Sequence, residues 1–345
     1  MKREYQLDLL RNICCLLVIV MHSTSYIFLT APNNSLGWYS AMVMDYMGLI
    51  AVPIFYMLSG YFILNKKTLS YSYITKKTIH IFTSFIMWSF FYLIWKNKLY
   101  TFEFNWSLDF FKQILSELFA GQPHFWFLFY LIGLYLLSPI LKKVIEDDYL
   151  TKYYFIVMFT IYFVLKPLST YIWPLTYMFN FIAGSGFTRL FGFSIYFIIG
   201  GVLNKISINS IKNLRSFYFL GLLCFIMSPF LNIIYAVITH TKSDFLCDYL
   251  QPLVFISSIV VFVFVKNFSL KNKMIIKINT ILAKQSMGVY FLHVFIYYKI
   301  VQYGLYYFHI PGIVTIILST ILNYLFSNLI VFIISKIPFF RKCLL

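Results

Sequence analysis

Charge is what this sequence has least of. Only 11% of its 345 residues are Asp, Glu, Lys or Arg, where a soluble domain carries about a quarter. Acidic residues are the scarcer sign, 11 against 28 basic ones, leaving a net charge of +17. That poverty excludes an ordinary water-soluble fold. The basic excess does not point to nucleic acid either, because the cations stand in short clusters between apolar runs, where they orient a membrane protein. Cysteine is equally sparse. Cys14, Cys15, Cys224, Cys247 and Cys343 form no CxxC pair, and three of them lie in or beside apolar runs. A disulfide framework and a zinc site are therefore not expected, and no metal is. P-loop, HExxH and GxSxG motifs are absent. The first apolar run has no small-residue cleavage site and is followed by many more, so it reads as a retained helix rather than a signal peptide.

What is there is apolar: 61% hydrophobic residues, 22% aromatic, mean hydropathy +0.80. A bilayer core of about 30 Å takes roughly 20 apolar residues per helix. Segments 8–28, 42–64, 78–95, 125–141, 153–171, 187–204, 216–238, 250–266, 285–305 and 311–335 meet or approach this. The expectation is an all-α integral membrane protein, a bundle of about ten transmembrane helices. One domain over 1–345 with no soluble appendage is expected. Placing the N-terminus inside leaves five cations in the outer stretches, at Lys96, Lys98, Lys112, Lys166 and Lys242. Three more, Arg11, Arg189 and Lys299, fall within helices, and all the others are on the inner side. Both termini should thus be cytoplasmic.

The longest outer connection, 96–124, holds Leu108, Phe111, Ile114, Leu115, Leu118 and Phe119 at helical spacing. That pattern predicts a helix lying on the membrane face. Gating of an acceptor is the sharper reading of the same stretch.

The first apolar segment, LDLLRNICCLLVIVMHSTS, carries three ionisable side chains. Arg11 and His22 are about three turns apart, on one stripe and separated by roughly 16 Å along the axis. Asp8 stands one turn before Arg11 and can pair with it. Taken singly, Arg11 reads as a snorkelling anchor and His22 as a packing histidine. Together on one stripe they read as facing a polar cavity, since intramembrane ionisable groups mark functional sites.

At this point the sequence resembles a known family, the acyltransferase-3 proteins. The Asp, then Arg, ten residues, then His of the first helix is similar to that family's signature. PIFYMLSGYFILNKK (53–67) is similar to its F-x-x-S-G-[FY] element, HFWFLFYLIGLYLLSPIL (124–141) to its W-F-L-x-x-L-x-x-Y-L-x-x-P-x-L pattern, and YFIIGGVLNK (196–205) to its sixth segment. SMGVYFLH (286–293) resembles its S-x-x-x-Y-x-x-H. The matches run in order over most of the chain. Family members often carry arginines after the second helix, where this chain has Lys76 and Lys77. Lysine supplies a point charge without the bidentate fork.

The resemblance implies a membrane enzyme of the bacterial cytoplasmic (inner) membrane. It would O-acetylate a surface polysaccharide or lipid-linked glycan such as O-antigen (lipopolysaccharide) or capsule, with acetyl-CoA as acyl donor. Arg11, Lys76 and Lys77 would face the donor's phosphates, though inner-face anchoring explains the lysines as well. His22 would be general base or transient acetyl carrier, with Arg11 and Asp8 in the same catalytic set. Ser59 and Gly60 either permit close helix packing or touch substrate. His124, Trp126 and Tyr130 belong to an interfacial aromatic belt or to a sugar-stacking surface. Ser286, Tyr290 and His293 support the site or pack helices. Arg189 snorkels or binds an acidic acceptor, and Asp45 could orient His22. His80 and His309 have no motif around them and read as structural. A transporter or flippase is the competing class. No paired Gly/Pro-broken segments in two halves point to one. The acceptor sugar, the acyl chain and the oligomeric state are not legible, and nucleic acid is not expected as a partner.

Overall fold

A computed structural model describes residues 3–32, 34–96, 107–169, 172–183, 187–206, 213–239, 248–302, 312–338 and 340–341. Lys98, Lys212, Lys242, Cys247, His309 and Cys343 lie outside the described residues. Helices make up all the regular structure described, with no strand among the described residues. In chain order they are α1 (Tyr5–Thr30), α2 (Leu36–Gly48), α3 (Ala51–Leu64), α4 (Tyr71–Lys96), α5 (Leu108–Ala120), α6 (Trp126–Glu146) and α7 (Asp148–Phe159). After them come α8 (Lys166–Leu168), α9 (Trp173–Ala183), α10 (Phe187–Lys205), α11 (Leu214–Thr239), α12 (Pro252–Lys266), α13 (Lys273–Ile296) and α14 (Gly312–Ile334). π-helical stretches join α7 to α8 (Thr160–Leu165) and extend α13 (Tyr297–Gln302).

Six helical stretches among the described residues are long and apolar enough to cross a membrane: Tyr5–Thr30, Leu36–Leu64, Tyr71–Lys96, Pro123–Glu146, Leu214–Thr239 and Gly312–Ile334. Pro252–Lys266 is a shorter apolar helix. The protein is thus a multi-pass membrane protein, and its many exposed Leu, Ile and Phe side chains are those a lipid-facing surface requires.

The second apolar segment departs from the sequence reading. It begins at Leu36, where Ser35 accepts a hydrogen bond from the Trp38 N–H at 3.2 Å, and it is broken at Leu49–Ile50 into α2 and α3. Gly48 ends α2 against α1: a Cβ there would lie 2.2 Å from the Met21 side chain. Irregular backbone at membrane depth is tolerated where protein surrounds it, and Leu49 and Ile50 are both buried.

Two glycines decide the closest crossing, α3 with α10. A Cβ on Gly60 would lie 1.8 Å from the Phe197 carbonyl oxygen, and one on Gly200 would lie 1.9 Å from that of Met57. The two backbones touch through reciprocal glycines, as small residues permit in membrane bundles. Gly60 therefore serves packing, and the adjacent Ser59 turns elsewhere.

α1 is tied to α13 by polar groups. The Asn12 amide donates to Asn279 Oδ1 at 2.5 Å and to its carbonyl at 2.9 Å, and Asn279 donates to the Tyr5 carbonyl at 3.1 Å. α4 reaches α13 through Tyr92, whose hydroxyl donates to the Phe291 carbonyl at 2.9 Å and accepts from the Phe295 N–H at 3.1 Å. In hydrocarbon such groups have no water to turn to, so they fix the register of the helices that carry them.

The predicted amphipathic helix is α5. Ser107 caps it, accepting from the Phe110 N–H at 3.1 Å, and Leu108, Phe111, Leu115 and Phe119 are exposed along it. It ends at Gly121, with φ 67°, packed under Phe85 and Phe125. Pro123 and His124 follow at once.

Candidate active site

Between α1, α3, α4, α6 and α13 lies a cavity of about 580 Å³, within the size range of small-molecule pockets. Its wall on α1 runs Arg11, Val18, Met21, His22 and Ser25, some 21 Å at 1.5 Å per residue. Arg11 and His22 thus share the cavity as well as the stripe. One end holds Arg11, Lys77, His80, Ser59 and Tyr135; the other holds Asp45, Trp126 and Tyr249. His22 stands between.

Arg11 is held from the side away from the cavity. Its Nη1 lies 3.3 Å from Asp8 Oδ1, and Asp8 Oδ2 accepts from Arg3 Nε at 2.7 Å. The guanidinium also lies 5.8 Å from the centre of the Phe62 ring, within cation–π range. Asp8 is buried and does not line the cavity; its part is to hold the two arginines. Of the two predicted lysines, Lys77 reaches the cavity wall and Lys76 does not, because consecutive residues point about 100° apart around a helix. His80, one turn beyond Lys77, is on the wall too. The sequence reading left it as structural, although its i, i+3 spacing from Lys77 carries the signal.

Ser59 and Tyr135 share this end of the wall. Tyr135 stands where the α6 ladder is interrupted, since Pro139 has no N–H for the Tyr135 carbonyl. Ser138 Oγ donates to that carbonyl instead, at 2.5 Å.

His22 is one of three imidazoles in a cluster. Its ring centre lies 4.9 Å from that of His293 and 6.0 Å from that of His124, and those two are 5.4 Å apart. His124 is brought in by the turn that opens α6, and the Tyr290 hydroxyl donates to its carbonyl at 2.6 Å. His293 comes from α13, buried beneath the cavity wall. Among the described residues no group of His, Cys, Asp and Glu is arranged to hold a metal ion.

At the far end Trp126 lies 5.4 Å from the Tyr249 ring. Tyr249 is held through its carbonyl, which accepts from the Tyr196 hydroxyl at 2.5 Å. Asp248 next to it pairs with Lys166 at 2.7 Å. Asp45 accepts from the Thr24 hydroxyl at 3.2 Å and shares the wall with His22, Ser286 and Tyr290. Tyr130 packs behind Trp126 and Phe193 rather than on the wall, and Arg189 is exposed at the start of α10, away from the cavity. Tyr249 and Ser25 were missed in sequence. Ser25 is one turn beyond His22, a spacing that could have found it, whereas nothing local marks Tyr249.

The arrangement offers cations at one end, proton-handling imidazoles in the middle, and an aromatic pair with a carboxylate at the other end. A family model described as an acyltransferase domain, acyltransferase 3, matches residues 4–335. The chain belongs to that family. No curated protein and no solved structure matches it. As a membrane acyltransferase-3 protein it is an acyltransferase, and the match covers every residue of the cavity wall.

Proposed function

We propose that this protein is an O-acetyltransferase of the bacterial inner membrane, moving acetyl from cytoplasmic acetyl-CoA to a hydroxyl of a surface polysaccharide or lipid-linked glycan. The observation that carries the reading is one cavity that Arg11 and Lys77 share with His22, Trp126, Tyr249 and Asp45, with His22 about three turns along α1 from Arg11. About ten transmembrane segments with both termini cytoplasmic would put the cationic end inside, where the basic excess also lies.

The donor's phosphates would meet Arg11 and Lys77, with charge-assisted hydrogen bonds holding them. From there the thioester would extend along α1 toward His22. The acceptor hydroxyl would enter from the Trp126 end, its sugar ring against the aromatic pair. His22 takes the hydroxyl proton as the oxygen attacks the acetyl carbonyl; a C–O bond forms, the C–S bond breaks, and the thiolate of CoA leaves. The imidazolium returns its proton to that sulfur, so ester and thiol are the products and the enzyme is unchanged. General-base help of this kind is worth roughly 10² to 10⁴-fold. The cavity lets acetyl cross while CoA stays at the inner face.

The test is the acetyl content of the host's envelope glycans in three strains: wild type, a deletion, and the deletion carrying His22→Ala at wild-type abundance in the membrane. Loss in both altered strains is expected. Loss in the deletion alone would remove His22 from the chemistry, and no loss in either would point instead to transport of a glycan precursor.

A further inference from the structure

The wall of the cavity has a second layer, and one histidine in it has its tautomer fixed by the fold. His293 is 1% exposed. Its Nδ1 lies 2.7 Å from the Tyr290 carbonyl and 3.1 Å from that of Val289. A carbonyl only accepts, so Nδ1 carries the hydrogen and the neutral ring keeps its lone pair on Nε2. That Nε2 is buried and has no hydrogen-bond partner in the protein. A buried acceptor left empty is costly, and one beside a cavity is an acceptor held ready. The ring next to it is His22, 4.9 Å away between centres. A small rotation or one bridging water closes that gap.

We propose that His293 is the positioning residue of the acyl-transfer site: its Nε2 accepts the N–H of His22 and so holds His22 in the tautomer whose other nitrogen is the bare base facing the acceptor hydroxyl. The inference rests on His22 being that base. When His22 takes the hydroxyl proton it becomes a cation, and the lone pair of His293 steadies it until the proton passes to the leaving sulfur. The one proton that His22 takes up goes on to the sulfur, none passes to His293, and no further reactant is needed. A neutral partner suits this place, because at a position 1% exposed an unpaired carboxylate would be far more costly. His124, with an unpartnered buried Nε2 of its own, borders the same pair, its ring 5.4 Å from that of His293 and 6.0 Å from that of His22; the assignment goes to His293 because its ring is the nearer to His22.

Two substitutions separate positioning from packing. His293→Asn puts an amide N–H where Nδ1 was and keeps the bond to the Tyr290 carbonyl, but has nothing at the Nε2 position. His293→Gln puts an amide oxygen near that position and gives up the inner bond. A packing role favours Asn; the positioning role favours Gln. The assay is transfer of radiolabel from acetyl-CoA to the host's envelope glycan by membrane vesicles holding the full chain, run over a range of acetyl-CoA concentrations. The maximal rate should fall on the order of 10²-fold in His293→Asn and stay within about tenfold of wild type in His293→Gln, the lost part of general-base assistance. The KM for acetyl-CoA should be unchanged in both. Full activity in Asn, or Gln falling as far as Asn, would overturn the proposal. His22→Ala in the same vesicles keeps the two readings apart. If it retains the rate, the base assignment falls and this one with it. If it is inactive while His293→Asn is not, only the role of His293 is wrong.

Discussion

The imidazole of His22 lies 4.9 Å from that of His293, the two carried by helices from opposite ends of the chain. What fixes that approach is farther down the same pair of helices, where Asn12 on α1 donates twice to Asn279 on α13. Asn12 and Asn279 are both buried, so the Asn12 amide depends on Asn279 for its acceptors, while Asn279 donates to the Tyr5 carbonyl.

Replacing Asn279 with Ala should therefore do two things at once. The Asn12 amide keeps the backbone carbonyl of residue 279 but loses the side-chain acceptor, a loss of about 0.5–1.5 kcal/mol, visible as a lower unfolding temperature in detergent. The register between α1 and α13 loosens with it, so acyl transfer should fall more than protein abundance does. Equal falls would mean that the asparagine pair supports only folding.

Arg11 should act on donor binding rather than on the chemical step. Asp8 keeps Arg3 at 2.7 Å when Arg11 is neutralised, so Arg11→Gln should insert and fold. A hydrogen bond to a charged group is worth about 1.5–3 kcal/mol. The KM for acetyl-CoA should accordingly rise roughly ten- to a hundred-fold, with the maximal rate little changed. A drop in maximal rate at unchanged KM would place Arg11 in the chemistry instead.

The α3–α10 crossing makes a purely structural prediction. Gly200→Ala would drive a methyl group into the Met57 carbonyl at 1.9 Å, and because the obstacle is backbone, no side chain can move aside. Overpacking of this kind costs typically 1–3 kcal/mol or more. The variant should accumulate poorly and melt early in detergent. Ser194→Ala on the same helix, which loses the hydrogen bond to Tyr154 and adds no atom, is the milder control. Equal stability of the two variants would mean that α3 and α10 are not in backbone contact.

Composition and periodicity determined a good deal of this protein. Scarce charge and long apolar runs dictate membrane helices, because each backbone polar group in hydrocarbon must be satisfied within its own segment. The stripe that puts Arg11 and His22 on one cavity wall follows from 3.6 residues per turn, and the amphipathic pattern of α5 was readable for the same reason. These are properties of one segment at a time. Which segments touch is not. The break at Leu49–Ile50 sits in an apolar run whose local marks are Gly48 and Pro53, which has no N–H for the Leu49 carbonyl, and the close packing of Gly48 on Met21 appears only in the folded bundle. Lys77 parts from Lys76, and Arg189 from the site, through the facing of a helix toward neighbours that no local pattern names. Tyr249 reaches Trp126 only because Tyr196 and Lys166 hold the chain around it. The joining of His22 with His124 and His293 was likewise left to the tertiary structure. Hydrophobic transfer puts helices into the bilayer with little preference for partners, and the choice falls to a few buried hydrogen bonds and backbone contacts made between segments far apart in sequence.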